Sequence, residues 1–426
     1  MKKENLVPEQ KKCRISGEKL VPLFSLGDLY VSDFVPKKES GGQAIPLTLM
    51  LGKRSGLVQL AHTTPADIMY RKYWYKSGTN ASMTNELRSI AELVQRLVPW
   101  KKGDVYVDIG CNDGTLFKFV SKDFMRIGFD PNDYAAESSK YADSIINDYF
   151  TYNSYRKTKF GKQKAKIITS IAMFYDLENP HSFIEDIHKT LDKNGLWVIQ
   201  MSYLPLMLKQ LAFDNICHEH IEYYSLIALN NLVRPHGFDI VDCEFNDVNG
   251  GSFRIFLRRT DADPATFATA PHRDVARFRV DSILAYEKTL GLDKVSTYHT
   301  FFKQVQGLKK KTVNFIKSEK KKGKKIWAYG ASTKGNTLLQ WFGLDHTLID
   351  GIAERQEAKY GLYTVGTHIP IFSEEQMRLA KPDYLLVLPW HFISEFKQRE
   401  QAFLERGGKF ILPCPHFEII GKEQLH

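Results

Sequence analysis

Eleven consecutive residues, Asp214 to Tyr224 (D-N-I-C-H-E-H-I-E-Y-Y), carry two histidines, three acids and two tyrosines, a density of titratable groups that points to chemistry. Histidine titrates nearest neutrality and is the side chain best matched to removing a proton there. His218 and His220 could also be zinc ligands, but an i, i+2 pair lacks the H-E-x-x-H helical spacing and leaves few further ligands nearby. Either one taken alone also fits a satisfied structural histidine. A second concentration lies upstream, where the apolar run Val105 to Ile109 enters Gly110-Cys111-Asn112-Asp113-Gly114-Thr115-Leu116. Glycines at a strand-to-helix turn let a ligand approach the backbone, and the helix start offers free amides. Asp108 precedes the first glycine, and Asp130 stands about 20 residues beyond the turn, where an acid can hold a ribose diol. The third glycine of a dinucleotide fingerprint is missing.

The elements that must position these groups are legible from periodicity. Residues 1–82 read as small β pieces and loops, a minor N-terminal domain. Leu87, Ile90, Ala91, Val94 and Leu97 then recur at helical spacing, and residues 83–260 alternate strands (105–109, 126–130, 166–170, 196–201, 253–258) with helices near 183–191 and 226–236. Such alternation predicts an α/β fold with a mostly parallel, doubly wound sheet. Residues 261–318 read as a linker followed by helices, and 319–426 as a second, Rossmann-like α/β domain with strands expected at 325–329, 347–353, 384–388 and 409–412.

In that frame the turn D-I-G-C-N-D-G-T-L followed by G-F-D resembles the S-adenosylmethionine turn of a class I methyltransferase. The resemblance makes Asp108, Gly110, Asn112, Gly114, Leu116 and Asp130 cofactor residues. It adds Asn147, Asp148 and Tyr149 on the adenine side, with Ser170 and Ala172 at the end of the fourth strand. From the residues alone, Asp148 and Tyr149 also fit a solvated loop acid and a packing aromatic.

Six ordered stretches carry a narrower resemblance: Tyr73 to Asn80 (Y-W-Y-K-S-G-T-N), Ile168 to Leu177 (I-T-S-I-A-M-F-Y-D-L), Ser202 to Pro205, Cys217 to Ser225 (C-H-E-H-I-E-Y-Y-S), Asn246 to Arg254 (N-D-V-N-G-G-S-F-R) and Tyr329 to Asn336 (Y-G-A-S-T-K-G-N). Together they resemble the deoxysugar C-methyltransferases, which methylate carbon 3 of nucleotide-linked 4-keto-6-deoxyhexoses. The match runs from Cys13 to about Pro415. It implies S-adenosylmethionine as cofactor, a nucleotide-linked (by the family's habit thymidine-linked) keto-deoxysugar as partner, and a role in branched-chain deoxysugar biosynthesis. Chemically, a carbonyl at carbon 4 acidifies the carbon 3 proton, a base removes it, and the enolate attacks the cofactor methyl. The resemblance makes His220 that base, with Glu219 and Tyr75 orienting it or hydrogen-bonding the oxyanion. Asn80, His218, Tyr223, Tyr224, Asn249 and Arg254 would line the sugar pocket, and Lys334 and His391 would help hold the nucleotide diphosphate. The C-terminal domain could equally be a vestigial nucleotide fold that only packs. Where the family often has Tyr before H-E-H, this chain has Cys217.

The N-terminal domain departs further. The family carries two C-x-x-C pairs there, but this chain has Cys13-Arg14-Ile15-Ser16 and Gly52-Lys53-Arg54-Ser55, so three of four ligand positions are Ser16, Gly52 and Ser55. A lone thiolate cannot hold tetrahedral zinc, and the expectation is the scaffold without the metal.

Five dispersed cysteines and the absence of an apolar leader fit a reducing, cytoplasmic setting without membrane insertion. The balance of 59 Lys plus Arg against 49 Asp plus Glu nominally invites a polyanion. That excess is local: ten lysines fall within Lys303 to Lys325, where Phe301, Val305, Leu308, Thr312 and Phe315 at helical spacing predict one amphipathic helix with a solvated lysine face. A monomer binding no nucleic acid is therefore expected. The competing readings are a sugar O-methyltransferase, an RNA-binding or RNA-modifying protein, and a catalytically silent scaffold.

Overall fold

The computed structural model describes residues 7–37, 42–71 and 74–424, so Tyr73 of the first motif lies outside the described residues. At its centre is a seven-stranded sheet in the order Phe238–Asn246, Ser252–Arg259, Leu191–Ser202, Ala165–Ile171, Val105–Ile109, Met125–Phe129, Ser144–Ile146. The last five strands are parallel, and the first two are antiparallel additions. Val105–Ile109 is buried at every position, as a central parallel strand covered on both faces must be. From it the chain runs outward to Met125–Phe129 and Ser144–Ile146, then crosses back to Ala165–Ile171 on the other side. That reversal opens a crevice at the carboxyl ends of Val105–Ile109 and Ala165–Ile171, where open α/β sheets bind ligands.

Helix Ala81–Leu97 buries the predicted stripe of Leu87, Ile90, Ala91, Val94 and Leu97. The strand Phe238–Asn246 was not expected. Polar Asp239, Asp242, Glu244 and Asn246 interrupt its apolar pattern, yet Asp242 is buried because Arg279 and His272 pair with it at 2.6 and 3.1 Å.

The C-terminal sheet runs Ile371–Ser373, Ile352–Glu354, Ile326–Tyr329, Tyr384–Val387, Lys409–Leu412, Glu418–Ile420, with only the last strand antiparallel. The strand expected at 347–353 is shorter, Ile352–Glu354, because Asp345 accepts from the Thr347 amide at 2.9 Å and turns the chain first. Helix Val295–Lys321 buries Phe301, Val305, Leu308, Thr312 and Ile316. It lies on the N-terminal sheet, with Phe302 stacked on Phe24 at 4.5 Å and His299 bonded to the Leu23 carbonyl at 2.9 Å. Some of its lysine charge is met locally by Lys320–Asp350 at 2.7 Å and Lys322–Glu319 at 2.7 Å. No helix among the described residues is long and apolar enough to cross a membrane.

The N-terminal sheet consists of Val21–Tyr30, Ala44–Leu51 and Val58–Leu60, and its fourth strand, Glu222–Tyr223, arrives from the segment that carries His220. Beside it the four former ligand positions do converge. Cys13 Sγ lies 3.1 Å from Ser55 Oγ, and a Cβ at Gly52 would fall 2.7 Å from both. That donor set, one thiol and two hydroxyls, does not fit zinc. Glu18 ties the knuckle instead, accepting from Ser16 Oγ at 2.7 Å and from the amides of Arg54 and Ser55 at 2.9 and 3.0 Å. Glu18→Ala is expected to lower unfolding free energy by about 1–2 kcal/mol in denaturant titrations. Elemental analysis of the purified wild type is expected to find zinc well below one equivalent.

Candidate active site

The crevice at the sheet reversal is filled by the glycine turn. Gly110, Asn112 and Gly114 have φ of 76°, 49° and 75°, and a Cβ at Gly114 would meet Ser138 Cα at 2.8 Å, so only glycine fits there. Asp130 anchors the turn by accepting from the amides of Asn112 and Asn132, both at 2.8 Å. Asp108 accepts from Thr169 Oγ1 at 2.6 Å, and burial pushes its carboxyl up to about 7. A cationic ligand beside it would favour the carboxylate.

Residues 75–78 strap over the turn. Asn112 Nδ2 donates to the Tyr75 carbonyl at 3.1 Å, while Ser77 N donates to Asn112 Oδ1 at 2.9 Å and Gly78 N to Asp113 Oδ2 at 3.0 Å. Under this strap lies a cavity of about 570 Å³. Asp108, Gly110, Asn112, Leu116, Asp130, Asp148, Tyr149 and Ala172 line one end of it. Buried carboxylates, a glycine cradle and flanking aromatic surface suit a nucleoside with a vicinal diol and an ammonium-bearing tail, so the residues present fit S-adenosylmethionine.

His220 enters the middle of the same cavity. Its Nδ1 lies 3.0 Å from the backbone carbonyl of Asn215, which can only accept, so Nδ1 carries the hydrogen and Nε2 is left as an unprotonated base. Tyr223 donates to the same carbonyl at 3.3 Å, and the Tyr175 ring packs on the imidazole with centroids 4.4 Å apart. Burial drives the His220 pKa down to about 3, helped by the Lys334 ammonium. Lys334 comes from the C-terminal domain and donates to Asn215 Oδ1 at 2.6 Å, so Asn215 joins base and cation through its two oxygens. Trp390 closes this corner by donating to Asp214 Oδ2 at 3.2 Å. Burial and the Lys334 charge likewise hold His391 down to about 3.

Beyond Lys334 the cavity continues along Tyr329 to Thr333 and Glu354 to Gln356 at the carboxyl edge of the second sheet. There the Ala331 amide donates to Glu354 Oε2 at 2.8 Å, much as the Asn112 amide donates to Asp130 in the first sheet.

Several expected contacts are placed elsewhere. His218 lies against the N-terminal sheet, with Nε2 bonded to the Ile45 carbonyl at 3.0 Å and its pKa lowered by burial to about 4. Tyr223 is spent on Asn215, and Tyr224 donates to Glu222 Oε2 at 2.8 Å inside the core. Arg254 is buried and neutralised by Glu86 at 2.7 Å and Glu244 at 3.4 Å, away from the cavity. Glu219 does not line the cavity, and the group that orients His220 is the Asn215 carbonyl. Asn147 braces the carbonyls of Asp130 and Asn132 at 3.0 and 2.7 Å, and Ser170 Oγ accepts from Trp197 at 3.2 Å, so both support the crevice without lining it. Asn80 lines the cavity, but its Oδ1 caps helix Ala81–Leu97, accepting from the amides of Ser82 and Met83. The Asn249 side chain lies outside what the structure describes. Tyr75, Lys334 and His391 do line the cavity.

Sequence reasoning missed Asn215, Tyr70, Tyr175 and Asp176. Asn215 acts on the base through a backbone carbonyl, which no residue type signals. Tyr175 and Asp176 stood inside a quoted motif and Tyr70 three residues before another, with no dense cluster of histidines and acids to single them out.

Residues 83–242 match the family described as a methyltransferase domain, and residues 247–415 match the one described as a C-methyltransferase C-terminal domain. The C-methyltransferase NovU of Streptomyces niveus is 28% identical over 426 residues, covering 99% of each chain. Among solved structures, a putative methyltransferase in complex with the Haloferax volcanii activator Trm112 aligns over 43% of this chain and 94% of its own, at 15% identity and TM-score 0.35. Magnesium protoporphyrin IX methyltransferase of Synechocystis PCC 6803, with bound SAH, aligns over 42% and 88%, at 11% identity and TM-score 0.33.

Proposed function

We propose, for a chain that belongs to the S-adenosylmethionine-dependent C-methyltransferases, that its acceptor is a nucleotide-linked 4-keto-6-deoxy sugar methylated at carbon 3. The observation that carries this reading is His220 held with Nε2 unprotonated in a cavity that joins the cofactor turn to the C-terminal sheet edge. Bound S-adenosylmethionine supplies an electrophilic methyl. Asp130 would hold its ribose diol, and Asp108 and Gly110 would hold its amino-acid end. His220 Nε2 takes the carbon 3 proton as the C–H electron pair moves toward carbon 4 and its oxygen. The resulting enolate then forms the carbon–carbon bond as the methyl leaves sulfur.

Burial keeps His220 neutral near neutrality at a cost in basicity, which positioning has to offset. Fixing imidazole, sugar and cofactor in one cavity supplies the proximity that such a step needs. Lys334, beside His220 and on the turn of the second sheet, is placed to meet the negative charge of the sugar nucleotide. The cavity's second end, with Glu354 to Gln356, would take the nucleotide.

Incubation with a panel of keto-sugar nucleotides and S-adenosylmethionine is expected to add one methyl, with carbon 3 quaternary by NMR. In deuterium oxide without cofactor, the same ketone is expected to exchange its carbon 3 proton. A methyl recovered on oxygen, or methylation of the 4-hydroxy sugar as readily as the ketone, would overturn the reading in favour of O-methyl transfer.

A further inference from the structure

The lysines and arginines that line the cavity are not equally matched. Lys76 faces Glu137 at 2.8 Å, Lys359 faces Glu354 at 3.8 Å and Arg399 faces Glu374 at 2.9 Å. Lys334 and Arg355 pair with no carboxylate among the described residues, and of these Lys334 is the one beside the base. Its Nζ donates to Asn215 Oδ1 at 2.6 Å, a neutral amide oxygen, while the carbonyl of the same residue lies 3.0 Å from His220 Nδ1. Asp214 and Glu219 act on the ammonium only from beyond ion-pair distance, and Asp214 Oδ2 is engaged by Trp390 Nε1 at 3.2 Å. The groups that touch His220 bring no negative charge of their own: the Asn215 carbonyl, the Cys217 carbonyl that accepts its amide at 3.2 Å, and the Tyr175 ring. An unmatched ammonium on a cavity wall costs stability, and an anion arriving from outside removes that cost.

The same ammonium has a second effect. Proton abstraction turns His220 into an imidazolium, which a like charge nearby disfavours. Resting on the acceptor reading above, the geometry points to a base that the acceptor's own diphosphate strengthens: an anion drawn to Lys334 cancels the charge that Asn215 holds next to His220. The diphosphate exchanges no atom in this step. The carbon 3 proton still passes to Nε2, and the phosphates stay bound while the field on the ring changes. Burial is the larger cause of the low His220 pKa and is untouched by the anion, so the base stays neutral near neutrality and gains proton affinity only when an acceptor is in place. Asn215 is then a positioning residue with two tasks, holding the ring by its backbone and the cation by its side chain.

The test measures carbon 3 deuterium exchange at saturating acceptor, with calorimetry of cofactor binding to check that each variant is folded. Two acceptors are compared, a 4-keto-6-deoxy sugar nucleotide and the methyl glycoside of the same keto sugar, which carries no phosphate. With the glycoside, added uridine or thymidine diphosphate is expected to raise wild-type exchange by roughly three- to thirtyfold, because a neighbouring charge is worth about one to three pKa units and part of that gain in basicity reaches the rate. Lys334→Met is expected to exchange the glycoside at least about threefold faster than wild type and to gain nothing from the nucleotide. Lys334→Arg, which keeps the charge, should respond as wild type does. A lysine that only shapes the cavity would slow the glycoside when removed, so the opposite sign is the signature. The proposal is overturned if both nucleotides leave wild-type glycoside exchange unchanged or inhibit it, if Lys334→Met is slower than wild type on the glycoside, or if that variant is still accelerated by nucleotide. A wild type that exchanges no proton on the keto-sugar nucleotide removes the acceptor reading itself, and this inference with it.

Discussion

His220→Asn is expected to abolish carbon 3 proton exchange to within background, a loss of about 10²- to 10⁴-fold, while cofactor affinity measured by calorimetry stays unchanged. The amide can still occupy the ring's place and donate to the Asn215 carbonyl, but it offers no basic nitrogen for the proton, so the loss reports basicity more than packing. Wild-type pH dependence is the companion readout. With the His220 pKa depressed to about 3, the neutral form persists as pH falls, and exchange should stay level between about pH 5 and about pH 7. An ordinary histidine base would give a slope-one decline below about 6.5. Such a decline, or wild-type exchange in His220→Asn, would show that the proton goes elsewhere.

Lys334→Met is expected to be the next most severe change, with two separable effects. Loss of one charge-assisted contact to an anion is worth about 1.5–3 kcal/mol, so KM for the sugar nucleotide should rise by roughly ten- to a hundredfold. Removing the ammonium also lifts a penalty on the imidazolium, so the His220 pKa should rise. It should stay below 6.5, because burial is the larger cause of its depression. An acid limb absent from wild type would therefore enter the measurable range. If KM rises with no acid limb, Lys334 holds substrate alone. If neither moves, the C-terminal turn only packs.

Sequence and structure agree most where periodicity and backbone sterics act locally. The strand Val105–Ile109, the turn glycines and the stripe of helix Ala81–Leu97 follow from residue type and spacing, and His220 stood out as a titratable group in a dense cluster. Assignment of the neighbours failed where the third dimension decides. His218 and His220 are two residues apart, yet one meets a carbonyl of the N-terminal sheet and the other the cavity, because the chain bends at 217–219 and the His220 amide donates back to the Cys217 carbonyl at 3.2 Å. Arg254, expected in the sugar pocket, is instead neutralised by Glu86, 168 positions away.

The strand Glu222–Tyr223 also limits how such an enzyme could be rebuilt. It follows His220 by two residues and is stitched into the N-terminal sheet, while seven residues before His220 the Phe213 ring is stacked on Phe342 at 5.2 Å. The reactive segment is thus a bridge moored at both banks, neither of which belongs to the sheet that holds the cofactor turn. Excising that sheet with its helices would keep the cofactor turn and release the base. Grafting another acceptor half onto it would succeed only if both moorings travelled with the graft, which makes acceptor choice a property inherited by the whole chain and not by an interchangeable cassette.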